Sequence, residues 1–240
     1  MVGLGRYYEM DFVCRGEPDA ASGYLINIKD VDRVAREAVV PRIEKACDST
    51  PGMDAAELMA ELFELARSRL PVPLAAVRWR LTPTYSVEMI AGEHEFVVLR
   101  QRFDFAAAHR LHVPGLTDEE NRRLFGRCNN PSGHGHNYMI EPAVRVRVTT
   151  GGGNTDGLYS LAAIERSTQR SIIDRFDHTH LNKDTEAFAE LGGENPSVEN
   201  IAKVFFELLS AAVREDSRGS AELKSVTVWE TDRTSSTFPG

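Results

Sequence analysis

The chain has 240 residues, 42% of them hydrophobic and 27% charged, an ordinary balance for a globular protein of one large or two small domains. A formal net charge of −8 argues against a general binder of nucleic acid or of anionic membrane. No apolar run approaches the ~20 residues of a membrane helix, and residues 1–10, which include Arg6 and Glu9, hold no apolar stretch of the kind a secretion signal carries.

In chain order, alternating β-branched and aromatic residues predict a strand at 7–13, followed by a short one at 24–28. A helix with Val31, Val34, Ala38 and Val39 on one face comes next, then a second with Leu58, Leu62, Leu65 and Ala66. Strands are expected at 75–82, 94–105 and 138–149, with a turn at Gly151-Gly152-Gly153-Asn154. A helix over 161–175 precedes another that starts at Pro196-Ser197. There Ser197 is the expected N-cap, and Val198, Ile201, Ala202, Phe205, Leu208, Leu209 and Ala212 make one apolar face. A strand at 225–230 follows. Cys14, Cys47 and Cys128 cannot pair completely and form no CxxC, so reduced thiols in a cytoplasmic protein are expected.

The order β–α–α–β occurs twice, which predicts an internal duplication. Residues 3–8 align with 133–138; Leu25, Val31, Asp32 and Arg33 with Leu158, Ile164, Glu165 and Arg166; Ala76-Val77 with Ser225-Val226. The copies are unequal. Leu4 and Arg6 stand where the second has His134 and His136, Leu81 stands where it has Glu230, and the first lacks a counterpart of 95–109. The expected division is a degenerate copy at 1–92 and a catalytic domain at 93–240, split at Ala91-Gly92-Glu93.

The chemistry therefore concentrates in the second copy. His134 and His136 are two apart, so on a strand both imidazoles face one point, and Gly135 between them permits close approach. His109 ends the preceding strand, and an antiparallel hairpin would bring it beside them. Three neutral histidines with a fourth position open are the ligand set of a catalytic zinc site, although imidazole also suits nickel, copper and iron. Cys128 lies in the polar segment 126–133 beside Arg127, where a nearby metal would lower its thiol pKa and make it a base. Asp177-His178 places an orienting carboxylate next to a proton-transfer imidazole; His180 carries less weight. Glu230 ends an otherwise apolar strand, where it could cap backbone or accept two hydrogen bonds from a ligand with adjacent N–H groups.

Together these segments resemble the 6-pyruvoyl-tetrahydropterin synthase and 6-carboxytetrahydropterin synthase family of the tunnelling fold. The carriers are FAAAHRL at 105–111, NRRLFGRCNNPSGHGHNY at 121–138, DHTHLN at 177–182, PSVEN at 196–200 and VWET at 228–231. The resemblance implies an α+β tunnelling fold, an antiparallel sheet with two helices on one face, in tandem with an incomplete N-terminal copy. It implies a zinc triad at His109, His134 and His136, a catalytic Cys128, an Asp177–His178 proton-transfer pair, and Glu230 as the pterin anchor. It also implies a homo-oligomer with active sites at subunit interfaces. The implied activity is a lyase that eliminates triphosphate from 7,8-dihydroneopterin triphosphate. Five residues separate Cys128 from His134, the spacing of the pyruvoyl-forming type. The alternatives are the 6-carboxy-tetrahydropterin enzyme of deazapurine (queuosine) biosynthesis and a non-catalytic zinc- or pterin-binding protein. Arg110, Arg127 and Lys183 are the candidates for holding the triphosphate.

Overall fold

A computed structural model describes residues 9–148 and 159–240. The turn expected at 151–154, the aligned Leu4 and Arg6, and the start of the strand expected at 7–13 lie outside the described residues. The chain forms two compact units, one from residues up to 100 together with 145–148, the other from 101–144 and 159–240. Among the described residues, no helix is long and apolar enough to cross a membrane.

In the first unit β1 (Glu9–Cys14) leads to α1 (Ile28–Val34), which runs through one π turn, Ala35–Val39, into α2 (Val40–Ser49). Then come α3 (Ala55–Arg67), β2 (Leu74–Arg80), β3 (Tyr85–Ile90) and β4 (Phe96–Gln101). The strands lie in the order β1-β2-β3-β4, with β1–β2 and β2–β3 antiparallel. Of the predicted apolar stripes, Val34, Ala38, Val39, Leu58, Leu62 and Ala66 are buried and Val31 and Leu65 half-buried, and α3 packs on β2 and β3. Glu88 is buried yet paired on both sides, with Arg78 at 3.1 Å and Arg100 at 2.6 Å.

The short strand expected at 24–28 does not form. The Asp19 carboxylate accepts from the N–H groups of Ala21 and Ser22, and Asn27 caps α1 by accepting from Lys29, so side-chain bonds close a turn and then start a helix. The strand expected at 94–105 is interrupted at Arg102 and resumes as β5, which ends at His109 as the placing of that histidine at a strand end required.

The second unit begins with β5 (Phe103–His109) and α4 (Asp118–Phe125), which carries a capping box between Thr117 and Glu120. β6 (His134–Arg147) belongs to this unit up to Val144 and starts four residues before the expected 138. Next are α5 (Leu161–Thr168), a π turn at Gln169–Ile173, α6 (Asp174–Phe176), β7 (Thr179–His180) and α7 (Leu181–Asp184). The long α8 (Val198–Asp216), β8 (Ala221–Thr231) and β9 (Thr234–Phe238) complete it. Ser197 caps α8 as expected, accepting from Asn200. β5 is antiparallel to β6 and parallel to β7, while β8 pairs with β6 and with β9. α8 packs on β8 and β9, and Phe105, Phe176 and Phe205 meet in the core beside Tyr138, which stacks on Phe105. Both units thus run strand, helix with one π turn, helix, strand, strand, from β1 to β3 and, with β7 and α7 inserted, from β6 to β9.

Candidate active site

The β5–β6 register builds the centre of the site. His109 lies opposite His134, and Ala107 opposite His136. Cross-strand partners share a face, as do residues two apart, so the three imidazoles project from one side of the sheet. Their ring centroids are 4.6–5.2 Å apart, and the Nε2 atoms of His109 and His134 are 3.2 Å apart. Glu230, at the end of β8, brings Oε1 to 3.2 Å from His109 Nε2 and 3.4 Å from His136 Nε2. One ligand atom from each of these four residues lies within 4.8 Å of the others.

The second neighbours fix the chemistry of these atoms. His109 is fully buried, and its Nδ1 lies 2.7 Å from the Pro196 carbonyl oxygen at the start of α8. A carbonyl only accepts, so Nδ1 donates to it and the ring is oriented with Nε2 toward Glu230 and His134. His134 and His136 are held below the ordinary histidine range, first by burial. Three imidazoles and a carboxylate aim metal-ligating atoms at one point, and His136 Nε2 is buried without a hydrogen-bond partner. A divalent cation fits this donor set. Three nitrogens and one carboxylate suit zinc, with nickel, copper and iron also compatible.

Cys128 sits in the 3₁₀ turn Gly126–Asn129, half-buried. The turn is tied down by Leu111, whose N–H donates to the Cys128 carbonyl at 2.8 Å, and by the Asn129 amide, which donates to the Leu111 carbonyl at 2.7 Å. Burial pushes the Cys128 thiol up, and the Glu230 charge adds to that. This is opposite to the expectation from the polar sequence. Arg127 is exposed and does not offset the carboxylate, which leaves a bound cation as the agent able to lower the thiol.

The chain then turns into β6 through Gly133, at φ +72°. A Cβ there would lie 2.6 Å from His180 Nε2 and 3.0 Å from the His109 carbonyl oxygen. His180, which carried little weight in the sequence, is therefore wedged against the entry to His134, with both ring nitrogens buried and unpartnered. Its only signal in the sequence was its place two residues past Asp177-His178.

The Asp177–His178 pair forms as a pair, outside the cluster made by the triad and Glu230. Asp177 Oδ2 is 2.8 Å from His178 Nδ1, and Oδ1 accepts from the Ala106 N–H at 2.8 Å. That backbone bond, with His178 after it, holds the Asp177 carboxyl below the usual carboxylate range. His178 has a positive φ of 57°, and its side chain is 84% exposed. It flanks an open groove lined by Ala106, Ala107, Ala108, Gly135, His136, Asn137 and Thr179. Ala106, Ala108, Gly135 and Asn137 alternate with the triad and point to the other side of the sheet, while His136 reaches the groove from the triad itself. One chain thus brings together His109, His134, His136 and Glu230, with Cys128 within reach of the Glu230 charge, and leaves His178 facing outward.

The family model described as 6-pyruvoyl tetrahydropterin synthase matches residues 98–240, more than half of the chain. The chain belongs to this family. Its structure is similar to that of Caenorhabditis elegans 6-pyruvoyl tetrahydropterin synthase, with a TM-score of 0.52 and 35% identity over 60% of this chain and 96% of that one. Its sequence is 33% identical over 140 residues to the Homo sapiens 6-pyruvoyl tetrahydrobiopterin synthase, spanning 58% of this chain and 89% of the human one. It is 42% identical over 91 residues to the Drosophila melanogaster 6-pyruvoyl tetrahydrobiopterin synthase, spanning 38% of this chain and 52% of the fly protein. Every site residue named above falls in the part matched by the 6-pyruvoyl tetrahydropterin synthase family, and residues before 98 fall outside it.

Proposed function

We propose that this chain is a zinc-dependent lyase that converts 7,8-dihydroneopterin triphosphate to 6-pyruvoyl-tetrahydropterin with elimination of triphosphate. The observation that carries the reading is the convergence of His109, His134 and His136 on one point beside Glu230 and Cys128, in a chain of this family.

In this reading the triad holds zinc, which when bound acidifies the side-chain hydroxyls of the substrate as a Lewis acid. Glu230 accepts two hydrogen bonds from the 2-amino and N3–H edge of the pterin and so orients the ring. Cys128, as thiolate, removes a proton from a side-chain carbon. His178, oriented by Asp177, handles a second proton. The C–O bond to the triphosphate breaks, triphosphate departs with the bonding pair, and tautomerisation leaves the diketo side chain. Because His178 faces away from the triad of its own chain, it serves the triad of a neighbouring copy, and the working form is a homo-oligomer with sites between subunits.

We read residues 1–92 as a degenerate copy of the domain at 93–240. Support comes from the shared order of elements, from the π turn in the first helix of each, and from a matching terminal hairpin. The offset that aligns Ala76 with Ser225 also carries β3 onto β9. A cytoplasmic location is the reading of the sequence, whose three cysteines cannot pair completely and form no CxxC.

The deciding experiment is to incubate the protein with dihydroneopterin triphosphate and identify the product. 6-Pyruvoyl-tetrahydropterin is expected; a 6-carboxy product assigns the deazapurine branch instead, and zinc binding with no conversion assigns a binding protein. Cys128→Ala is expected to abolish turnover with zinc retained, whereas unchanged turnover removes Cys128 from the mechanism.

A further inference from the structure

Next to the triad lies a cleft of about 670 Å³ lined by Arg110, Asp118, Arg122, Arg127 and Asn129, among others, with His134 in its wall. The chain is acidic as a whole, at −8, yet here three guanidinium groups face a single carboxylate. Arg110 is partly committed, its Nε to the Asn129 carbonyl oxygen and its Nη1 to Glu190, both at 3.3 Å. Arg122 donates its Nε to the Asp118 carbonyl oxygen at 3.2 Å, which leaves its terminal nitrogens available. Among the described residues, neither Arg122 nor Arg127 has a carboxylate partner. Unpaired guanidinium forks around one concavity are suited to phosphate, which accepts paired N–H donors.

We infer that this cleft seats the triphosphate tail of the substrate, with Arg122 and Arg127 as the principal contacts and Arg110 behind them. The inference rests on the lyase reading for the identity of the ligand, and on the geometry for its place. His134 is both a triad imidazole and a wall of the cleft. A substrate whose side-chain hydroxyls lie at the triad therefore directs the group on its terminal carbon past His134 and into the cleft. Lys183, a candidate in the sequence, is not among the residues that line it. Arg122, which no motif singled out, is.

The probe is inorganic triphosphate, titrated calorimetrically into the full-length protein, so that binding is read without turnover. Binding is expected, weakening with salt. Arg122→Ala and Arg127→Ala are each expected to reduce affinity about tenfold, the scale of one charge-assisted hydrogen bond. Arg123→Ala, on the same helix but outside the cleft, is expected to bind as the unaltered chain does. Both cleft variants are expected to raise KM for dihydroneopterin triphosphate. The inference is overturned if the unaltered protein does not bind triphosphate, or if Arg123→Ala weakens binding as much as the other two. Specific binding lost in the cleft variants, with no pterin product from the unaltered protein, leaves the anion site standing and defeats the lyase reading alone.

Discussion

At the scale of single residues, Glu230 and Gly133 carry the sharpest expectations. Glu230 stands where it could be either a fourth metal ligand or the pterin anchor. As the anchor, Glu230→Gln keeps its metal and raises KM by about 10- to 100-fold, the effect of losing a charged acceptor. Loss of zinc from the variant, read by metal analysis, would instead make Glu230 a ligand. Gly133→Ala forces a side chain into a left-handed backbone, costing about 1–2 kcal/mol, and drives its Cβ toward the His109 carbonyl oxygen. Lower thermal stability and lower zinc content are expected together, because the shift moves His134. The imidazole triad was legible in the sequence because a strand repeats every two residues, so His-x-His is a direct statement of shared facing. The outward position of His178 was not legible. It depends on a positive φ at a non-glycine residue and on which side of β5 the chain crosses, and neither leaves a mark in composition or spacing.

At the scale of elements, α8 holds one end of the site. Its cap residue Ser197 follows Pro196, whose carbonyl orients the ring of His109. Ser197→Ala is expected to lower stability by about 1 kcal/mol, measurable by urea unfolding. At the far end of α8, Asp216 accepts from the Ser167 hydroxyl at 2.6 Å and from Arg170 at 3.1 Å, linking α8 to the α5 helix. Those donors, Ser167 first, hold its carboxyl below the ordinary range. A depressed native pKa means the stabilisation is present above the unfolded carboxylate pKa and is lost as pH falls through the native one. Asp216→Asn should therefore lose about 1 kcal/mol at neutral pH, and the gap from the unaltered chain should close in acid. A gap unchanged from neutral to acid pH would remove the carboxylate charge from the contact. The helices here were readable from their apolar stripes. α4 was not, since its DEENRRLF sequence has almost no apolar face, although the Thr117–Glu120 capping box was a usable signal. β3 carried a signal that went unread, since Tyr85, Val87 and Met89 alternate with Ser86 and Glu88, whereas β9 is mostly polar and does not alternate.

At the scale of the whole molecule, the two units differ in chemistry although their elements follow one order. The family match covers 98–240 alone, and the proposed duplication rests on the order of elements more than on any aligned residue. If the first unit is a copy without a site, native mass spectrometry with metal analysis should find one zinc per chain in a closed oligomer. Two per chain would sink that reading. The outward His178 has a further consequence, one of inheritance. If, as proposed, the Asp177–His178 pair serves the triad and Cys128 of a neighbouring copy, an allele damaged at Cys128 and another damaged at His178 should each be null alone. Expressed in one cell, they should rescue each other, since some mixed assemblies pair an intact triad and thiol from one gene product with an intact histidine from the other.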